Sequence, residues 1–198
     1  VLILTTSFGF SQDSEWTYLF DGKTLDGWHE YNGDKISKNW SAKNGELVFT
    51  APNDNLSRGQ DIVTDKKFTN FELSLEWNIS KGGNSGVFFR STLEGTKITG
   101  WQAEVAPPGS HTGGIYESYG RGWLIKPDPS KDSALKMGEW NLMKIRVKGN
   151  KVKTWLNGVQ MISINDEKIG KGKGAIALQI HDGGGIKVRW KNLILKKI

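Results

Sequence analysis

The sequence predicts an all-β domain, built as a sandwich or a barrel. Three observations carry that prediction. Apolar and polar residues alternate with period two over many short stretches. Glycine and asparagine interrupt those stretches at short intervals, as turns require. Spacing of the helical kind is nearly absent.

The clearest strand is 71–79. Phe71, Leu73, Leu75, Trp77 and Ile79 share one face, and Glu72, Ser74, Glu76 and Asn78 share the other. The turn-rich run Lys81–Gly86 leads to a strand ending Phe88-Phe89-Arg90. Strands over 142–148 and 152–157 flank Gly149-Asn150, a tight hairpin signal, and Asn157-Gly158 turns the chain into 159–164. Strands over 175–181 and 186–195, separated by Asp182–Gly185, complete the chain. The middle stretch 91–139 holds four of the five prolines and several glycines and aromatics, and reads as long loops of the kind that carry function.

A length of 198 residues suits one domain of this class. Such a domain has core enough to fold without staples. The absence of cysteine removes disulfide frameworks, thiolate zinc sites and cysteine nucleophiles together. The net charge of +6 raises nucleic acid as a partner. The lysines are scattered, however, with small clusters at Lys171 and Lys173 and at Lys196 and Lys197. No arginine-rich run or ribonucleoprotein-type aromatic motif accompanies them, so a solvated surface is expected and nucleic acid is not. Nine tryptophans are unusual for this length. Core filling is the ordinary reading of each, and a sugar-stacking platform is the sharper one for one or two.

Residues 1–10, apolar and followed by the polar run from Ser11, have the shape of a signal-peptide core. The expectation is a leader remnant over 1–11 and an exported protein, secreted or periplasmic, without a stable membrane anchor. The domain itself then occupies 16–198.

Alternation places Gln102 and Glu104 on one side of their strand, opposite Trp101, Ala103 and Val105. It also pairs Gln179 with His181. If these strands neighbour that of Glu72 and Glu76, their polar sides form one surface of carboxylates, amides and an imidazole. Arg90 would supply a positive partner to Glu104 or Glu76. Familiar catalytic signals are missing: there is no nucleophile elbow, no phosphate loop with a following helix, and no His-x-x-x-His pair. The two carboxylates on one strand that a retaining jelly-roll glucanase would use are missing too.

Several motifs in order resemble one family. Leu19-Phe20-Asp21-Gly22-Lys23-Thr24-Leu25-Asp26-Gly27-Trp28 is similar to the opening of the 3-keto-disaccharide hydrolases. Gly83-Asn84-Ser85-Gly86-Val87-Phe88-Phe89-Arg90 matches one of that family's most distinctive stretches. Thr112–Tyr116, Gly138–Asn141, Trp155–Gly158, Leu178–His181 and Val188–Leu193 continue the likeness, which spans 16–198. Gln102–Pro108 lacks an aspartate that many relatives place there, and Trp190-Lys191 stands where Phe-Arg is usual.

The resemblance implies a concanavalin A-like jelly roll of two curved antiparallel sheets, acting on glycosides oxidised to a ketone at sugar carbon 3. The ketone acidifies the carbon 2 proton, so a base can form an enolate that expels the aglycone from carbon 1. In that frame His181 or Glu104 is the base and the other assists the leaving group. Arg90, Gln179 or a metal stabilises the enolate. Glu76, Asn84, Gln102 and Tyr116 position the sugar, and Trp123 stacks on its ring. A Glu, Asp and His set could take a divalent cation, but the spacing establishes none, and no other cofactor is implied. The rival reading is a non-catalytic carbohydrate-binding module, which needs aromatics on the face but not so many ionisable groups.

Overall fold

A computed structural model describes residues 15–31, 35–50, 60–95, 97–181 and 186–198. The expected leader at 1–11 and the turn at 182–185 lie outside the described residues. Fifteen strands run through the rest. The first part supplies β1 (Thr17–Tyr18), β2 (Trp28–Glu30), β3 (Trp40–Lys43), β4 (Glu46–Thr50) and β5 (Ile62–Phe68). The middle supplies β6 (Phe71–Ile79), β7 (Ser85–Glu94), β8 (Lys97–Val105), β9 (Ile115–Ser118) and β10 (Gly122–Ile125). A 3-10 segment, Pro129–Ala134, precedes β11 (Asn141–Lys148), β12 (Lys151–Leu156) and β13 (Val159–Asn165). The short helix α1 (Glu167–Lys171) leads to β14 (Gly174–Ile180) and β15 (Lys187–Lys197).

The strands form two antiparallel sheets. One has the order β13-β12-β11-β6-β15-β4-β3, with β1 added beside β15; the other has the order β10-β9-β8-β7-β14-β5-β2. Their inner faces interdigitate into one core, as a sandwich requires. Alternation fixes which side faces in. In β11 every second residue, from Asn141 to Val147, is buried and every other one is exposed. Trp77, Trp190, Phe49 and Phe71 are fully buried between the sheets. Burial on this scale contributes about 1.5–3 kcal/mol for each large apolar side chain. Five tryptophans (Trp28, Trp40, Trp77, Trp101 and Trp190) belong to this core, which bears out core filling as their main use.

The stretch 91–139 is more regular than its composition implies. It contains the end of β7 and all of β8, β9 and β10. Two irregularities hide the alternation. The β7–β8 pairing shifts register between Phe89 and Thr92, and Gly100 sits at φ +122°. A Cβ at Gly100 would lie 2.8 Å from the Ser91 Cα, so the two backbones approach too closely for any side chain there.

Arg90 lies at that shift, at φ 51°. Its guanidinium is buried and donates to the backbone oxygens of Thr69 (2.6 Å from Nη2), Gly149 (3.1 Å) and Ile169, and to Asn70 Oδ1 (3.3 Å). Thr69 and Asn70 join β5 to β6, and Gly149 joins β11 to β12, so Arg90 ties the end of one sheet to the other. Burial lowers its pKa.

Candidate active site

The outer face of the seven-stranded sheet gathers most of the predicted residues. Cross-strand register sets Gln179 opposite Gly86 and Gly86 opposite Glu104, in one row over β14, β7 and β8. The next row runs Ala177, Phe88, Gln102, Tyr116 and Trp123, from β14 to β10. The Glu104 and Gln179 strands thus share a sheet but are not neighbours, since β7 lies between them, and the Glu72 and Glu76 strand is in the other sheet.

Glu104 is the centre. It is 6% exposed, and both carboxylate oxygens are engaged. Asn84 Nδ2 donates to Oε1 at 2.8 Å and Gln102 Nε2 donates to Oε2 at 2.7 Å. Burial disfavours the charged form and pushes the Glu104 pKa up to about 7. The Asn84 bond, the nearby charge of His181 and the Gln102 bond pull the other way without cancelling that effect. Gly86 makes room for this arrangement: a Cβ there would lie 2.4 Å from Gln102 Nε2.

The loop after β8 holds Glu104 from behind. Glu104 N–H donates to Gly114 O at 3.0 Å, and Gly113 N–H donates to Glu104 O at 2.9 Å. Thr112 Oγ1 closes the loop on Ala106, donating to its oxygen at 2.7 Å and accepting from its N–H at 3.0 Å. Beyond Glu104 lies an aromatic wall. Tyr116 and His111 meet the Trp123 ring edge to face, at 5.4 and 5.1 Å between centroids, and Lys126 Nζ lies 5.5 Å from the centre of that ring. On the other side an apolar cluster of Val63, Phe88, Ile98, Ala175 and Ala177, flanked by Tyr31, dries the floor. Tyr31 Oη lies 2.7 Å from Ser91 Oγ.

Two buried amide oxygens here, Asn84 Oδ1 and Gln179 Oε1, have no hydrogen-bond partner among the described residues. Leaving a buried acceptor unmatched costs about 1–3 kcal/mol, which a donor on a ligand recovers. This set of a half-ionised carboxyl, free acceptors and an aromatic wall suits proton transfer on a polyhydroxylated molecule. His181, the exposed residue just past β14, is close enough to influence Glu104.

Two expected members lie elsewhere. Glu76 is on β6, in the other sheet, where Asn192 Nδ2 donates to it at 2.7 Å and Lys191 Nζ lies 3.4 Å away. It cannot position a sugar at Glu104, because the whole core separates the two faces. Glu72 follows it, paired with Arg146 at 3.1 Å. Arg90 is committed to the carbonyls that join the sheets and is not an ion-pair partner of Glu104 or Glu76. Three residues of the site escaped the sequence reading. His111 and Lys126 sit in irregular segments without alternation to place them. Asp61 is buried and accepts from the Ile180 N–H, next to Gln179. Among the described residues no group of three or more His, Asp and Glu side chains gathers as a metal site, and Asp182 lies outside them.

The family model described as the 3-keto-alpha-glucoside-1,2-lyase-like domain matches residues 15–196, and the chain belongs to that family. A 3-keto-disaccharide hydrolase of Bacteroides thetaiotaomicron is 40% identical over 74 residues, 36% of this chain and 26% of that protein. The aligned part is thus about a quarter of the relative's length. A solved candidate glycosyl hydrolase from Parabacteroides distasonis is 25% identical, covers 92% of this chain and 94% of its own, and superposes with a TM-score of 0.70. The Bacillus licheniformis β-glucanase, 13% identical over 95% of this chain and 99% of its own, superposes with a TM-score of 0.60 and shares the fold. The two sheets are therefore the concanavalin A-like jelly roll.

Proposed function

We propose that this member of the 3-keto-alpha-glucoside-1,2-lyase-like family cleaves 3-keto-glycosides, with Glu104 as the base at sugar carbon 2. One observation carries the reading: Glu104 is a buried carboxyl, bonded at both oxygens and held near neutrality. A base of that kind is available as carboxylate at neutral pH and is basic enough to take a carbon acid proton. The curated relative's activity supports the substrate class.

In the proposed sequence the carbon 2–hydrogen bond breaks and its proton passes to Glu104. The electron pair becomes the enolate of the carbon 3 ketone, whose oxygen takes a hydrogen bond from the Gln179 amide. The enolate then forms the carbon 1–carbon 2 double bond as the carbon 1–oxygen bond breaks. The departing oxygen takes a proton from His181. Water adding to carbon 1 of the unsaturated ketone, with a proton returned to carbon 2, completes a net hydrolysis. Asn84 and Tyr116 orient the sugar and Trp123 carries its C–H face.

A chromogenic 3-keto-glucoside tested beside the unoxidised glucoside decides the matter. Release from the keto substrate alone, abolished in Glu104→Gln and reduced in His181→Ala, is expected. Release from neither, with sugar binding retained by calorimetry, would leave a binding module instead.

A further inference from the structure

The opposite face of the sandwich has its own character. On β11 and β12 the outward positions are Leu142, Lys144, Arg146 and Lys148, and Lys151, Lys153 and Trp155. Five cations within residues 144–153 are thus set on one surface by the β11–β12 hairpin. Register puts like charges directly opposite one another, Arg146 against Lys153 and Lys148 against Lys151. Cross-strand pairs of like charge destabilise a sheet, and a merely solvated face has no use for them.

Other cations of this sheet have partners. Lys191 pairs with Glu76 and lies 4.1 Å from the centre of the Trp140 ring; Arg189 pairs with Glu46 at 3.2 Å. Arg146 has Glu72. No ion pair engages Lys144, Lys148, Lys151 or Lys153 among the described residues. Beside them runs an open groove of about 420 Å³, lined by Trp16, Trp155, Leu142, Lys144, Arg146 and Glu72. Trp16 is 41% exposed and Leu142 37%.

We infer that this groove is a second binding site, distinct from the Glu104 face, for an acidic polysaccharide chain carrying carboxylates. Indole walls suit the C–H faces of sugar rings, and the unpaired ammonium groups suit their carboxylates. A recessed groove fits a chain lying along it better than a bilayer, which needs apolar side chains that protrude. The choice of a glycan over a nucleic acid rests on the glycoside reading of the other face. The site would hold the enzyme on a polymer while Glu104 acts on shorter glycosides.

The test uses the full chain. Polygalacturonate, dextran, a single-stranded DNA oligomer and phosphatidylglycerol vesicles are compared by calorimetry at low salt. The variants are Trp155→Ala and the double variant K144E/K153E. Binding of polygalacturonate and not of dextran is expected, weakened about tenfold or more in the charge variant. Loss of indole stacking in Trp155→Ala is expected to weaken it about threefold to tenfold. DNA or vesicles bound as tightly as polygalacturonate would overturn the inference, as would no binding, or binding unchanged in both variants. Turnover of a short keto-glycoside, measured in the same variants, should not move. Failure of the second site and failure of the Glu104 mechanism are therefore read on separate measurements.

Discussion

Replacing Glu104 by glutamine should abolish turnover and stabilise the protein at once, and the gain should depend on pH. The carboxyl is held at about 7 in the folded chain against its ordinary 4.5. Its folded pKa is raised, so the folded state binds more protons than the unfolded state between those values. Whatever stability the protonated group provides is complete below pH 4.5 and lost as pH rises through 7. The rise from 4.5 to about 7 corresponds to about 3 kcal/mol, the cost of burying the charge. Glutamine is isosteric and uncharged, and Gln102 can turn its amide to accept from it. Glu104→Gln should therefore gain about 3 kcal/mol over the wild type between pH 4 and pH 8. For a chain of this length that is about 6–12 °C in melting temperature. Thermal unfolding of both proteins at pH 4, 6 and 8 measures it. A difference that stays constant over that range would refute a carboxyl held near neutrality, and with it the choice of Glu104 as base.

Four further outcomes follow from the same geometry. Gly86→Ala should displace Gln102 from Glu104 Oε2 and remove a bond that favours the carboxylate. The acidic limb of the kcat/KM pH profile then moves up by about one unit, since a hydrogen bond to a charged group is worth about 1.5 kcal/mol or more. Arg90→Lys cannot reproduce the fork that reaches Thr69, Gly149 and Ile169, and should cost about 3 kcal/mol in denaturant unfolding. Its pH profile should match the wild type, because no reacting group touches Arg90. Trp123→Ala should raise KM roughly threefold to tenfold with little change in kcat, as expected for a stacking contact of about 0.5–1.5 kcal/mol. Glu76→Gln should leave kcat/KM unaltered; a loss there would put the site on the wrong sheet.

The sequence by itself determined the fold class and the inward face of the regular strands. The reason is that side-chain direction in a strand has a period of two whatever the strand pairs with. Phe71 to Ile79 and Asn141 to Lys148 were legible for that cause, and so was the shared face of Gln102 and Glu104. The family was legible in motifs such as Gly83–Arg90, which combine turn residues with strand residues in a fixed order. Alternation says nothing, however, of which strands become neighbours. Glu76 has the same local pattern as Glu104, and only the sheet order sends them to opposite sides of the core. Arg90 looked like a member of the site because the register shift beside it leaves no mark in composition. The raised pKa of Glu104 was equally invisible, since it comes from desolvation by the strands and loop packed around it. His111, Lys126 and Asp61 reach the site through loop geometry and long-range register. The gathering of Lys144, Lys148, Lys151 and Lys153 beside Trp155 follows from the Gly149-Asn150 hairpin, which was legible, whereas the placing of Trp16 and Glu72 along the same groove belongs to the tertiary structure.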